Sequence, residues 1–221
     1  MTASNRCQVF IVDDHAVVRE GLSKLINQEA DMHVCGEAED GPSAMNRLLT
    51  MQPDLAVVDI SLSSSNGLEL IKGMKLRYPA MPVLIFSMHE ESIYAERALR
   101  AGASGYIMKS EAPAVLIAAI RKARQGKIHL SDKMTEQLLY KAIHKHDTGT
   151  EDSIGSLSDR EFQVFQLIGK GIASRQIAQQ LNLSVKTIDA FRENIKRKLG
   201  LGSAAELTRY AIECVHSKNI E

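Results

Sequence analysis

Five short, nearly uninterrupted apolar runs mark the first half of the chain: residues 9–12, 32–37, 55–60, 83–87 and 105–108. Runs this short, apolar on both faces, read as strands covered from two sides, since a strand with one wet face alternates polar and apolar residues. Between them apolar residues recur at helical spacing. The groups are Val17-Val18-Gly21-Leu22-Leu25-Ile26, Ala44-Leu48-Leu49, Leu68-Ile71-Met74-Leu76, Ala95-Ala98-Leu99 and Val115-Leu116-Ala119-Ile120. Strand and helix alternate five times, which predicts an α/β fold built on a five-stranded, doubly wound parallel sheet with right-handed crossovers.

The pattern changes after Gly126. Residues 131–145 read as one more helix, with Met134, Leu138, Leu139 and Ile143 apolar, and residues 146–156 are polar and contain Gly and Ser, as a linker would. From Leu157 onward only helical segments occur. The first opens on Ser158-Asp159-Arg160-Glu161, an S-x-x-E capping box, and ends near Gly169 to Gly171. A short second helix carries Ile177, Ala178 and Leu181; a third starts at Ser184 and runs to Leu199 before Gly200; a fourth covers about Ala204 to Val215. The expected organisation is a first domain over 6–126, a helix and flexible linker over 127–155, and a small all-α domain over 156–221.

Charge divides at the same place. The chain of 221 residues carries 27 basic and 27 acidic side chains, a balance that by itself argues against a coat for nucleic acid. Residues 170–200 nevertheless hold seven bases (Lys170, Arg175, Lys186, Arg192, Lys196, Arg197, Lys198) against Asp189 and Glu193, a local patch of the kind that neutralises phosphates. Cys7, Cys35 and Cys214 are far apart and form no paired framework, so a reducing compartment is the simplest reading. No stretch approaches the ~18 apolar residues that a spanning helix needs. A cytoplasmic chain with no membrane partner is therefore expected.

In a parallel sheet, ligands bind beyond the carboxyl ends of the strands. Asp13 and Asp14 follow the first run, Asp59 the third, Ser87 ends the fourth and Lys109 follows the fifth. If the first and third strands are neighbours, three carboxylates converge. They repel one another unless a cation enters, and an all-oxygen site suits Mg2+ or Mn2+. Lys109 and the Ser87 hydroxyl could each meet a phosphoryl oxygen, and one carboxylate could accept a phosphoryl group as an acyl phosphate. Taken singly, each residue has a bland reading as a helix cap or a solvated side chain. Four strand ends with complementary chemistry are a stronger signal.

On these residues the first domain resembles the receiver domain of two-component response regulators. The match is carried by Asp13-Asp14, by Asp59 with Gly67 eight residues later, by Ser87, and by the stretch AGASGYIMK ending in Lys109. The resemblance implies a flavodoxin-like strand order 2-1-3-4-5 and a phosphoryl group accepted on Asp59 from a sensor histidine kinase. It also implies Mg2+ held by Asp13 or Asp14 with Asp59 and the main-chain carbonyl of Ser61. Ser87 and Tyr106 would form a switch pair, Ser87 moving toward the phosphoryl group as Tyr106 turns inward. The family usually has Pro where this chain has Ser63 and, in many members, Ser110, so the loop Ser63-Ser64-Ser65 is expected to be looser. Ser61 and His89, two places after Asp59 and Ser87, would flank an attacking water.

Helices two and three of the last domain, joined by Asn182-Leu183-Ser184, have the layout of a helix-turn-helix. On the third helix Val185, Ile188, Ile195 and Leu199 make an apolar face, leaving Lys186, Asp189, Ala190, Glu193 and Arg197 on the other. That face would enter the major groove, with Lys186, Arg192, Lys196 and Lys198 available for phosphates. The bland alternative is a solvated helix with internal pairs such as Glu193 with Arg197. Leu157, Arg160-Glu161, Gly171, Ile177-Ala178, Leu181, Ser184, Lys186-Thr187-Ile188 and Lys198-Leu199-Gly200 make this stretch similar to the LuxR-type domain of NarL/FixJ regulators. It departs from that pattern at Phe191 and Ala173. The resemblance implies promoter DNA as ligand, contacts from Arg175, Lys186, Thr187, Asp189, Ala190, Arg192, Glu193, Lys196 and Arg197, and a homodimer through the fourth helix when phosphorylated or DNA-bound.

The expected protein is thus a phosphorylation-gated transcription regulator and not an enzyme. An aspartyl phosphatase would need a second carboxylate two residues after its nucleophile, where Ser61 stands. A module with a vestigial receiver is disfavoured by the complete set Asp13, Asp14, Asp59, Ser87 and Lys109.

Overall fold

The computed structural model describes residues 6–62, 66–143 and 152–216, in two compact units, Met1–Leu139 and Tyr140–Glu221. The first unit contains β1 (Cys7–Val12), α1 (Ala16–Asn27), β2 (Met32–Ala38), α2 (Gly41–Met51), β3 (Leu55–Val58), α3 (Gly67–Arg77), β4 (Val83–Ser87), α4 (Glu91–Arg100), β5 (Gly105–Met108) and α5 (Pro113–Arg124). The strands form one parallel sheet in the order β2-β1-β3-β4-β5, as the receiver resemblance implies. Cys7, Val9, Ile11, Leu55, Val57, Leu84 and Ile107 pack with Leu22 and Ile26 of α1 and Leu116, Ala119 and Ile120 of α5. The alternate strand residues Phe10, Ala56, Val58 and Ile85 are buried too, so both faces of the sheet are covered. Each expected apolar run is a strand; β3 stops at Val58, which leaves Asp59 just beyond its carboxyl end.

Helix α6 (Asp132–Ile143) follows, with Met134 buried. Of the stretch expected as a linker, residues 146–151 lie outside the described residues, and Asp152–Gly155 forms one helical turn, α7. The loop Ser63-Ser64-Ser65 also lies outside the described residues.

The second unit continues with α8 (Asp159–Gly169), α9 (Ser174–Gln180), α10 (Val185–Leu199) and α11 (Ala204–His216). Phe162, Phe165, Ile168, Ile177, Ile188, Ile195, Leu207 and Ala211 are among its buried apolar residues. Val185 was expected on the buried face of α10 but is 43% exposed: it is the first residue of the helix, before the chain has turned onto the core. The turn from α9 to α10 passes through Asn182 in the left-handed region (φ 52°), which a short polar side chain tolerates, and Ser184 caps α10 by accepting from the Thr187 amide. Among the described residues no helix is long and apolar enough to cross a membrane.

The capping box at α8 closes in both directions: Ser158 Oγ accepts from the Glu161 amide and Glu161 Oε2 accepts from the Ser158 amide at 2.7 Å. The same Oε2 takes Lys198 Nζ of α10 at 2.6 Å, so one buried carboxylate ties two helices. Burial works to raise the Glu161 pKa, but Lys198 and the Ser158 bonds outweigh it and hold the carboxyl below the usual glutamate range. A depressed carboxyl stabilises the fold above its unfolded pKa of ~4.3, and that stability is lost as pH falls through the lower folded value. Glu161→Gln should therefore cost the second unit about 1–2 kcal/mol near neutral pH. The gap to the unsubstituted chain should close below about pH 4 in denaturant melts followed by circular dichroism.

Candidate functional site

The sheet order places β1 between β2 and β3, so the carboxyl ends of β1 and β3 are adjacent; the Asp59 amide donates to the Val12 carbonyl at 2.8 Å. Asp13 and Asp59 thereby enter one site and are 1% and 3% exposed. Lys109 comes from the end of β5, where its amide donates to the Ser87 carbonyl at 2.7 Å and fastens the ends of β4 and β5 together. Its Nζ reaches Asp13 Oδ2 at 2.6 Å and Asp59 Oδ2 at 2.7 Å. Burial alone would lower the Lys109 pKa, but hydrogen bonds to both carboxylates, together with their charges, hold it above the ordinary lysine value. The ammonium therefore stays charged at neutral pH.

The outer oxygens of both carboxylates also have partners: Asp13 Oδ1 accepts from the His15 amide at 2.9 Å, and Asp59 Oδ1 from the Ser61 amide at 3.1 Å. Asp14 is half-buried and its Oδ1 lies 2.7 Å from His15 Nδ1. Asp13, Asp14, His15 and Asp59 each offer a ligand atom within 4.8 Å of the others. Three carboxylates against one ammonium leave the site net negative, and a hard divalent cation fits that donor set. Sequence reasoning missed His15, because a polar residue after an acidic pair is ordinary in a loop. Only its reach back to both aspartates marks it.

Gly67, the glycine eight residues after Asp59, caps the same loop. A Cβ there would lie 2.4 Å from the Asp59 carbonyl oxygen and 2.6 Å from Ile60 Cα, so only glycine lets α3 start this close to the phosphoacceptor candidate. Asn66 begins that helix by accepting from the Leu68 amide.

Ser87 is fully buried, and its Oγ accepts from the His89 amide at 3.3 Å. Tyr106 is 1% exposed and lies in the inward position, its hydroxyl donating to the His89 carbonyl at 2.9 Å. Burial pushes its phenol far above the usual range, with the Ser87 hydroxyl beside it pulling the other way. Ser61 and His89 are hydrogen-bonded to each other, Oγ to Nε2 at 2.8 Å, while the His89 ring stacks on Tyr94 at 4.7 Å.

In the second unit α10 exposes Lys186, Asp189, Ala190, Glu193 and Arg197, the stripe expected to face a ligand. Arg175 of α9 is exposed, and Arg192 is half-buried. Among the described residues none of Arg175, Lys186, Asp189 and Arg192 forms an ion pair. The Thr187 hydroxyl is engaged with Ser184 Oγ at 2.8 Å, within the cap. Glu193 pairs with Lys196 at 2.8 Å, and Arg197 donates to Asn194, so the i,i+4 pair of Glu193 with Arg197 does not form. Lys198, expected on phosphates, is instead spent on Glu161. The apolar face of α11 has cover inside the unit: Leu207, Ala211 and Val215 are buried, α11 packs on α8, and Tyr210 meets Phe165 at 6.0 Å between ring centroids.

Residues 9–121 match the response regulator receiver domain family, and residues 155–211 match the LuxR family of bacterial regulatory proteins. The chain is 36% identical over 210 residues to the oxygen regulatory protein NreC of Staphylococcus haemolyticus, covering 93% of this chain and 97% of that one. Among solved structures it is similar to the RcsB response regulator of Salmonella typhimurium, with TM-score 0.67, 27% identity and 96% and 98% of the two chains covered. It is also similar to RcsB of Salmonella enterica serovar Typhimurium bound to promoter P1flhDC in the presence of phosphomimetic BeF3−, with TM-score 0.58, 27% identity and 93% and 98% covered.

Proposed function

The chain belongs to the bacterial response regulators that join a receiver domain to a LuxR-family DNA-binding domain, and from that membership we propose that Asp59 is its phosphoacceptor. The observation that carries this reading is Lys109 Nζ held between Asp13 Oδ2 and Asp59 Oδ2 at 2.6 and 2.7 Å. An Asp59 carboxylate oxygen attacks the phosphorus of a phosphohistidine on a sensor kinase. A P–O bond forms, the P–N bond breaks, and the imidazole leaves with the electron pair. Lys109 balances charge on the phosphoryl oxygens, and the Ser87 hydroxyl donates to one of them. Asp13, Asp14, Asp59 and the Ser61 carbonyl would hold Mg2+ or Mn2+, which when bound neutralises further phosphoryl charge.

The receiver domain spans 6–126 in this reading, the connecting helix and linker 127–155, and the DNA-binding domain 156–221. Arg175, Lys186, Arg192, Lys196 and Arg197 face phosphates, with Thr187 beside them. Asp189, Ala190 and Glu193 face base edges, where a carboxylate accepts from the amino group of cytosine and Ala190 meets a thymine methyl. The phosphorylated chain binds promoter DNA as a homodimer through α11, in the cytoplasm.

Asp59→Asn should abolish labelling by acetyl phosphate in Mg2+, measured by intact-mass spectrometry; stoichiometric labelling that persists would move the acceptor elsewhere. Arg192→Ala should weaken binding to all DNA sequences and reduce the slope of log affinity against log salt by about one. Lys198→Ala should leave that slope unchanged, because its ammonium is already committed to Glu161.

A further inference from the structure

The chain does not leave the receiver fold at the end of α5. Residues 127–131 turn back along the free edge of β5: the Tyr106 amide donates to the His129 carbonyl at 2.9 Å and the His129 amide to the Ser104 carbonyl at 3.0 Å. Gly105 and His129 form a parallel β-bridge. The approach is so close that a Cβ on Gly105 would lie 2.6 Å from the His129 carbonyl oxygen and 2.9 Å from Leu84 Cδ2. Two residues on, Ser131 is gripped by Glu91 in the first turn of α4: Glu91 Oε1 accepts from the Ser131 amide at 3.0 Å, and its Oε2 accepts from the Ser131 hydroxyl. Glu91 is buried. Ser131 also starts α6, its Oγ accepting from the Met134 amide at 3.1 Å, and Met134 is buried.

Both anchors of this strap belong to the switch. Tyr106 holds the strap by its main chain and the β4–α4 loop by its hydroxyl, on the His89 carbonyl. Glu91 stands two residues after His89, whose amide donates to Ser87 Oγ. A displacement of Ser87 toward a group on Asp59 either breaks its bond to the His89 amide or carries along the loop that holds the Tyr106 hydroxyl and leads to Glu91. We propose that the strap, residues 127–131, reads the Ser87 and Tyr106 state and passes it into α6 and the connection to the DNA-binding domain. The strap is seated on the main-chain amide of Tyr106 while that side chain lies inward, and on this proposal the two states go together, so that loosening the strap disfavours the inward Tyr106. A passive edge cover would also protect β5 from strand pairing, but edge protection alone has no use for a buried carboxylate that clasps the helix cap from the switch loop.

The inference rests on the receiver reading, and linkage separates the two. If a phosphoryl mimic at Asp59 favours the seated strap, a seated strap must favour the mimic by the same factor. In the full-length chain with Mg2+, beryllofluoride should slow amide hydrogen exchange at Tyr106 and across 127–135. Gly105→Ala presses on the strap from β5, and Ser131→Ala releases it from α4. Each should weaken beryllofluoride affinity about fivefold or more, measured by calorimetry, and Ser131→Thr, which keeps the hydroxyl, should restore it. Unchanged affinity in both variants, with their strap amides exchanging freely, would overturn the strap. No binding of beryllofluoride to the unsubstituted chain would overturn the receiver reading beneath it.

Discussion

One ammonium holds two buried carboxylates together. Without Lys109, Asp13 and Asp59 would face each other across the ends of β1 and β3 with little water to screen them, an arrangement whose desolvation cost is several kcal/mol per ion. With it, the three strand ends are cross-linked by 2.6 and 2.7 Å contacts. The order β2-β1-β3-β4-β5 is what allows a residue after β5 to reach residues after β1 and β3. The same arrangement leaves the site short of positive charge, with Asp14 beside the pair, so it favours a divalent cation. A phosphoryl group would take Lys109 and Ser87 as partners, and Ser87 is already bonded to the loop that carries His89 and Glu91.

The alternation of apolar runs and helical patterns was enough to place every strand, because a doubly covered parallel strand leaves a continuous apolar signature. The residues of the site were legible for the same reason: they stand at the carboxyl ends of those runs, where this architecture puts ligands. What the sequence could not show were contacts across long separations. Lys198 looks like any other base in a basic helix, and only the fold brings it to Glu161, 37 residues earlier. His15 has no periodicity to betray it. Residues 127–131 have neither strand-like length nor helical spacing, so a strap that pairs by two backbone bonds left no pattern, and Gly105 read as part of a motif before its close approach to His129 gave the reason.

The formal charge of zero conceals two opposite needs. The receiver end gathers Asp13, Asp14 and Asp59 around one ammonium, while α10 carries the exposed bases Lys186 and Arg197 and the half-buried Arg192. One base in the second unit is structural: Lys198 stabilises the α8 cap. Asp189 stands exposed in the basic stripe with no ion pair among the described residues, an acceptor that the proposed DNA complex would set against a base edge.

In the proposed function, charge at Asp59 controls DNA binding by the LuxR-family domain. The direct measurement is the affinity of the full-length protein for a duplex it has selected from random sequence, at one fixed salt concentration with Mg2+, with and without beryllofluoride. Binding at least about tenfold tighter is expected with beryllofluoride, with no response from a chain lacking the Asp59 carboxylate. Equal affinity in both conditions would contradict it.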